Sequence, residues 1–255
     1  MSRQVWVTRC GQVPYDQARE AQSALAAARV EDEVPDVLLL LEHPPVYTRG
    51  RRTRDAELPM GEDWYRSQGI DVSETDRGGA VTYHGPGQLV GYPIVSLTAY
   101  GNRSEPEAGK EVARMGVVDY VRGIERVMVD SLAAHGVEAA PGEGLTGVWA
   151  GDRKIGSIGV HVSRGVTTHG FAINVNNDLQ PFEWIVPCGI EGCRMTSLGR
   201  ELGGEQDMDR FAAAIAELFG RAYERRPVAV TSAELAARVP GAEALAGAGL
   251  EAALP

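Results

Sequence analysis

Residues 37–41 read VLLLL, five aliphatic side chains in succession within the segment VLLLLEH. A strand with one wet face alternates apolar and polar residues, so a strand with no polar position must be covered on both faces. The run therefore demands a sheet with structure packed above and below it. It is far shorter than the roughly 18 apolar residues of a membrane-crossing helix, and no apolar run in the chain approaches that length. No membrane association is expected. Pro44 and Pro45 end the run, because proline removes a ladder donor.

The flanking segments supply candidate partners. VWV at 5–7 reads as a first strand, and YDQAREAQSALAAAR, from Tyr15 to Arg29, as an alanine-rich helix with Leu25 and its alanine neighbours on one face. Residues 55–75 read as irregular, apart from a short helix around Trp64 and Tyr65. A long helix is expected from Glu111 to His135, with Val117, Val121, Ile124, Met128 and Leu132 forming its apolar face and Gly136 as its C-terminal cap. Residues 147–176 predict an antiparallel meander of three strands, one ending near Trp149, one at 154–162 and one at 166–175. A last helix spans about Asp207 to Tyr223, with Phe211, Ile215 and Phe219 on one side. Helices and strands do not alternate regularly, which favours an α+β fold with a central mixed β-sheet flanked by helices. Residues 1–224 read as a single catalytic domain. Residues 225–255 are alanine-rich and read as a weakly packed or disordered tail.

The formal net charge of −10 argues against a nucleic-acid partner, which calls for a basic surface. One local exception is TRGRRTR at 48–54, four arginines in seven residues. It reads either as a solvated loop or as a docking patch for an acidic partner or a phosphate. The first residues lack the apolar core of a secretion signal, and three cysteines (Cys10, Cys188, Cys193) do not make a disulfide framework. A cytoplasmic protein is expected.

Four segments combine glycine with polar residues: RGGAVTYHGPGQ, RKIGSIGV, THGFAIN and VPCGI. The first opens the stretch RGGAVTYHGPGQLVGYP (77–93), with five glycines and two prolines in 17 residues. Its two strand-like pieces read as a pair joined by a rigid Gly-Pro-Gly turn, with the glycines thinning one wall of a ligand slot. The P-loop pattern is absent, and Gly87 leads into a strand rather than a helix. VPCGI places Cys188 on a tight bend that can present its sulfur. A catalytic thiolate needs a nearby cation or a helix N-terminus; Lys154 in RKIGSIG is the candidate, read against an ordinary surface lysine at a strand end. His84 and His169 are candidate cysteine partners. Zinc held by Cys188, Cys193 and a histidine is weakly supported, since no second ligand pair stands at matching spacing. No metal is expected.

Taken together, RGGAVTYHGPGQLVGYP, RKIGSIGVHV, THGFAINVNNDL and VPCGI, with LLLLEHPPVYTRGRR before them, closely resemble the octanoyltransferases of lipoate biosynthesis, the lipoyl(octanoyl) transferases. The resemblance spans roughly residues 38–199. It implies a fold similar to the biotin and lipoate ligases, and transfer of an octanoyl group from octanoyl-acyl carrier protein to a lysine. The implied acceptors are lipoyl domains of 2-oxoacid dehydrogenases and the glycine cleavage H protein. It assigns the acyl-thioester nucleophile to Cys188 and the lysine that lowers its pKa to Lys154. Substrate binding falls to Arg77, Gly78, Gly79, Ala80, Val81, Thr82, Tyr83 and His84, to Ser157, Ile158 and Gly159, and to Gly170, Phe171 and Ala172. No cofactor is implied, since a thioester is already an activated acyl group. Two alternatives remain at this stage: an ATP-dependent lipoate or biotin protein ligase on the same fold, and a non-catalytic protein that binds the acyl carrier.

Overall fold

The computed structural model describes residues 4–100, 115–190 and 192–246, without the side chains of Ala99, Tyr100 and Cys188. The VLLLL run lies in strand β2 (Asp36–Glu42), inside a large sheet. Leu38 and Leu40 enter one hydrophobic core, and Val37, Leu39 and Leu41 enter the core on the opposite face. Each fully buried aliphatic side chain contributes roughly 1.5–3 kcal/mol relative to exposure. β2 pairs in parallel with β1 (Gln4–Gln12) and antiparallel with β6 (Gln88–Ile94). Beyond β6 come the strands of the expected meander, β10 (Val166–Asn174), β9 (Arg153–Ser163) and β8 (Val148–Ala150), then β7 (Ala140–Pro141). The sheet is mixed, as its irregular element order predicts.

Helices cover both faces. Helix α1 (Tyr15–Val30) buries Ala18, Ala21, Leu25 and Ala28 in the second core. Helices α3 (Val117–Ala134) and α5 (Met208–Ala222) pack on the first, with Ile124, Met128, Leu132, Phe211, Ile215 and Phe219 buried. The Asp207 carboxylate accepts from Arg210 N–H and caps α5. The expected start of α3 at Glu111 lies outside the described residues. Val117, assigned to its buried face, is 45% exposed, and the buried face of the helix begins at Tyr120. Gly136 follows α3 with φ +86°, the left-handed geometry of a helix stop. None of the helices in the described residues is long and apolar enough to cross a membrane.

Three readings need correction. The two pieces of RGGAVTYHGPGQLVGYP are not a hairpin. β5 (Thr82–His84) pairs with β3 (Val46–Arg49), which also pairs with β4 (Asp71–Glu74), in a separate three-stranded sheet. The Gly-Pro-Gly turn carries the chain from that sheet into β6. Gly87 makes this possible with φ +83° and a backbone so close to Asn176 and Asn177 that a Cβ would lie 2.7 Å from Asn177 N. Residues 55–75 are also less irregular than expected, holding β4 besides helix α2 (Glu62–Ser67).

The third correction concerns the alanine-rich end. Strand β12 (Arg226–Ala229) adds to β1 in parallel, and helix α6 (Ser232–Arg238) starts with a capping box between Thr231 and Glu234. Leu235, Val239, Ala242 and Leu245 are buried in the second core. Alanine content suggested weak packing, yet small side chains on α1 let these aliphatics approach closely. Residues 247–255 lie outside the described residues.

Candidate functional site

A cavity of about 410 Å³ opens where the small sheet meets β9 and β10, a size suited to a small organic ligand. All four glycine-containing segments contribute to its lining. From the first come Arg77, Gly79, Ala80, Thr82 and His84; from β9, Lys154, Ser157, Ile158 and Gly159; from β10, Gly170, Phe171 and Ala172. Val81 and Tyr83 do not line it. Strand side chains alternate, so with Thr82 and His84 facing the cavity these two face the opposite way. They join the third core, where Tyr83 packs on Tyr47 and Phe182. Gly78 lies beneath the wall, its N–H donating to Val160 O at 3.0 Å.

The fourth segment contributes Gly189 and Ile190. Pro187–Gly189 form a 3-10 turn, and Gly189 takes φ +68°. These two lining residues place the backbone of Cys188 beside the cavity. The Cys188 side chain lies outside the described residues. Lys154 is 1% exposed, so the surface-lysine reading does not hold. Its Nζ stands 5.0 Å over the Trp149 ring, and its backbone carbonyl accepts from Thr196 N–H at 2.9 Å. The β-bulge between Val148 and Trp149 and Gly147 (φ +127°) leave room for it; a Cβ at Gly147 would lie 2.9 Å from Lys154 Cε.

The motif glycines have a different role from the one expected. At Gly91, Gly159 and Gly170 they do not leave an open wall. A Cβ on Gly170 would lie 2.2 Å from Gly91 O, one on Gly159 would lie 2.7 Å from Gly78 O, and one on Gly91 would lie 2.2 Å from the Phe171 ring. The space vacated by each glycine is filled by neighbouring backbone or by Phe171. Close strand-on-strand contact brings the lining segments together; the void itself lies between the two sheets.

Behind the cavity stands a buried array of rings. His43 donates from Nδ1 to Val13 O at 2.6 Å, which leaves Nε2 to accept the Tyr92 hydroxyl at 2.7 Å. His84 donates from Nδ1 to Gln88 Oε1 at 2.7 Å, and Gln88 Nε2 donates to Asn174 Oδ1 and Tyr83 O. Burial drives the His43 pKa down to about 4. Burial, and secondarily the neighbouring His43, hold His84 well below the usual histidine range. Burial raises Tyr92 far above the usual phenol range. These groups are therefore neutral around pH 7 and present polarity without charge. His169 takes φ +57°, donates from Nε2 to the Asp76 carboxylate at 2.8 Å, and donates its backbone N–H to Gln22 Oε1 at 2.7 Å. Its pKa is lowered by burial, partly offset by Asp76.

The Arg77 guanidinium is committed within the protein, donating to Thr48 O and Oγ1 and to Gly78 O. That latch pins the RGG backbone to β3. In the arginine loop, Arg49 is surrounded by Asp55, Glu62 and Glu74. Arg51 and Arg52 are exposed, their backbone N–H groups fixed on Arg77 O and Gly79 O. Arg52 and Arg54 line the cavity at its mouth.

Sequence reasoning missed Tyr15, Glu57, Val90 and Tyr92 as lining residues, and His43 behind them. Tyr15 was visible only as the start of a helix, and His43 only as the end of a strand. The sequence carries no local sign that residues 15, 43, 57 and 92 converge.

The lipoyl protein ligase A/B catalytic domain matches residues 14–220. An octanoyltransferase of Acidobacterium capsulatum is 43% identical over 221 residues, covering 84% of this chain and 87% of that one. One from Rubrobacter xylanophilus is 48% identical over 197 residues, covering 76% and 82%. A bipartite lipoate protein ligase from Thermoplasma acidophilum superposes with a TM-score of 0.67 at 18% identity, covering 96% and 91%, and shares the fold. The chain belongs to the lipoyl protein ligase A/B catalytic-domain family, among its octanoyltransferases.

Proposed function

We propose that the chain moves an octanoyl group from octanoyl-acyl carrier protein to a lysine of a lipoyl domain through an acyl thioester on Cys188. What carries the reading is that buried Lys154 and the Pro187–Gly189 turn reach one cavity, although 34 residues separate Lys154 from Cys188. The carrier thioester approaches past exposed Arg51 and Arg52, which suit an acidic partner. The Cys188 thiolate, paired with the Lys154 ammonium, attacks the octanoyl carbonyl. A new carbon–sulfur bond forms, the bond to the carrier sulfur breaks, and the departing thiolate takes a proton from Lys154. The acceptor amine then attacks the Cys188 thioester. Its nitrogen bonds to the acyl carbon, the Cys188 thiolate leaves, and Lys154, now an amine, takes the nitrogen's proton. The cycle closes with thiolate and ammonium restored. Neutral His84 and Tyr92, with Val90, Phe171 and Ala172, offer the acyl chain uncharged surface.

The test is incubation with octanoyl-acyl carrier protein without ATP, followed by intact-mass measurement. The wild-type chain should carry one octanoyl adduct, Cys188→Ala none, and Lys154→Met should transfer at least about a hundredfold more slowly. An adduct that persists in Cys188→Ala, or transfer that requires ATP, would refute the mechanism.

A further inference from the structure

Glu57 is the single carboxylate among the described residues lining the cavity, and it is 3% exposed. It closes the 3-10 turn Asp55–Glu57. Its carbonyl accepts from Val186 N–H at 3.0 Å, which ties it to the segment that carries Cys188. A Cβ built on Gly189 would lie 3.2 Å from Glu57 Oε1, so the carboxylate sits against the residue that follows Cys188. Oε1 accepts from Arg54 Nε at 3.1 Å. Oε2 is buried without a hydrogen-bond partner among the described residues. Such buried orphans are rare and costly, and each calls for a reason.

The other charged side chains lining the cavity are Arg52, Arg54, Arg77 and Lys154, a set that repels an incoming cation. A lysine acceptor arrives mostly as an ammonium, since its pKa is about 10.4 in solution. It brings both a positive charge and N–H donors. We propose that Glu57 Oε2 takes an N–H of that amine and holds the nitrogen beside the Pro187–Gly189 turn. Glu57 is thus a binding group for the acceptor, and the inference rests on the acyl-transfer reading above. The ammonium gives its extra proton to bulk water at the open mouth before attack, and the second proton passes to Lys154.

The experiment compares two nucleophiles on the octanoylated enzyme: n-butylamine, a cation at neutral pH, and hydroxylamine, which is uncharged there. In Glu57→Gln the ratio of amine to hydroxylamine transfer should fall about tenfold or more. In Arg54→Ala, which frees the same carboxylate from its internal partner, the ratio should stay level or rise. A purely structural role for the Arg54–Glu57 pair predicts equal losses in the two variants, and that result would overturn the proposal. So would an unchanged ratio in Glu57→Gln, provided the octanoyl adduct forms. Absence of the adduct in the wild-type chain would instead refute the acyl-transfer reading on which the proposal rests.

Discussion

Two glycines one cross-strand pair apart should respond very differently to alanine. In β10, the Cβ of Gly170→Ala would lie 2.2 Å from Gly91 O and 2.5 Å from Pro93 Cδ. Ordinary contact between heavy atoms needs about 3.5 Å, so β10 must move away from β6 by roughly an ångström. Backbone cannot rotate aside, and the hydrogen bonds around the Phe171–Gly91 pair lengthen past usefulness. Losing two such bonds and leaving buried groups unpaired should cost about 3–6 kcal/mol. For a chain of this length that corresponds to a Tm lowered by roughly 10–20 °C. In Gly91→Ala the obstacle is the Phe171 ring, whose nearest carbons lie 2.2–2.7 Å from the new Cβ. A ring can turn, so the cost should be the about 1–3 kcal/mol of an overpacked core. Phe171 turns into the cavity it lines, however. Gly91→Ala should therefore lose octanoyl transfer more severely than transfer from a short acyl donor. Thermal denaturation and transfer assays with the two donors read both effects. A Gly170→Ala protein at least as stable as Gly91→Ala would refute the backbone argument, and equal losses with both donors would refute the ring argument.

Burial also sets a pH dependence. His43 titrates near 4 when folded and near 6.5 when unfolded. The unfolded chain therefore binds this proton first, and stability falls as pH drops from about 6.5 toward 4. Between pH 7 and pH 5 this site should cost about 2 kcal/mol. Urea denaturation of His43→Gln should show that difference removed, and an unchanged pH slope would count against a neutral buried imidazole. At the other end of the chain, Leu235 is fully buried. Leu235→Ala should lower the unfolding free energy by about 2–5 kcal/mol; a change under about 0.5 kcal/mol, the usual range for surface positions, would restore the reading of the alanine-rich segment as loosely attached.

Much of the fold was legible because it rests on local rules. The unbroken VLLLL run required cover on both faces of its strand, and the structure places Leu38 and Leu40 in one core and Leu39 and Leu41 in the other. The meander from β8 to β10 followed from alternation and turn residues, and α5 from its Phe211, Ile215 and Phe219 spacing. The chemistry-bearing segments were legible for a related reason: glycine beside histidine or lysine in strands is locally unfavourable, so something other than local stability explains it, and Cys188 stands out between a proline and a glycine on a tight turn. By contrast, β12 and α6 escaped notice because alanine-rich composition says nothing about how closely a neighbouring helix can approach.

What the sequence determined by itself was the set of elements and the segments that carry Lys154, Cys188 and their glycine-rich companions. Only the tertiary structure decided that β5 and β6 part into two sheets, that Lys154 is a buried residue lining the cavity, and that Tyr15, His43, Glu57 and Tyr92 gather at one place. Helix and strand periods are properties of neighbours along the chain. Convergence of residues 15, 57 and 92 depends on which sheet each strand joins and on which face each side chain then falls, and the whole core settles that choice at once.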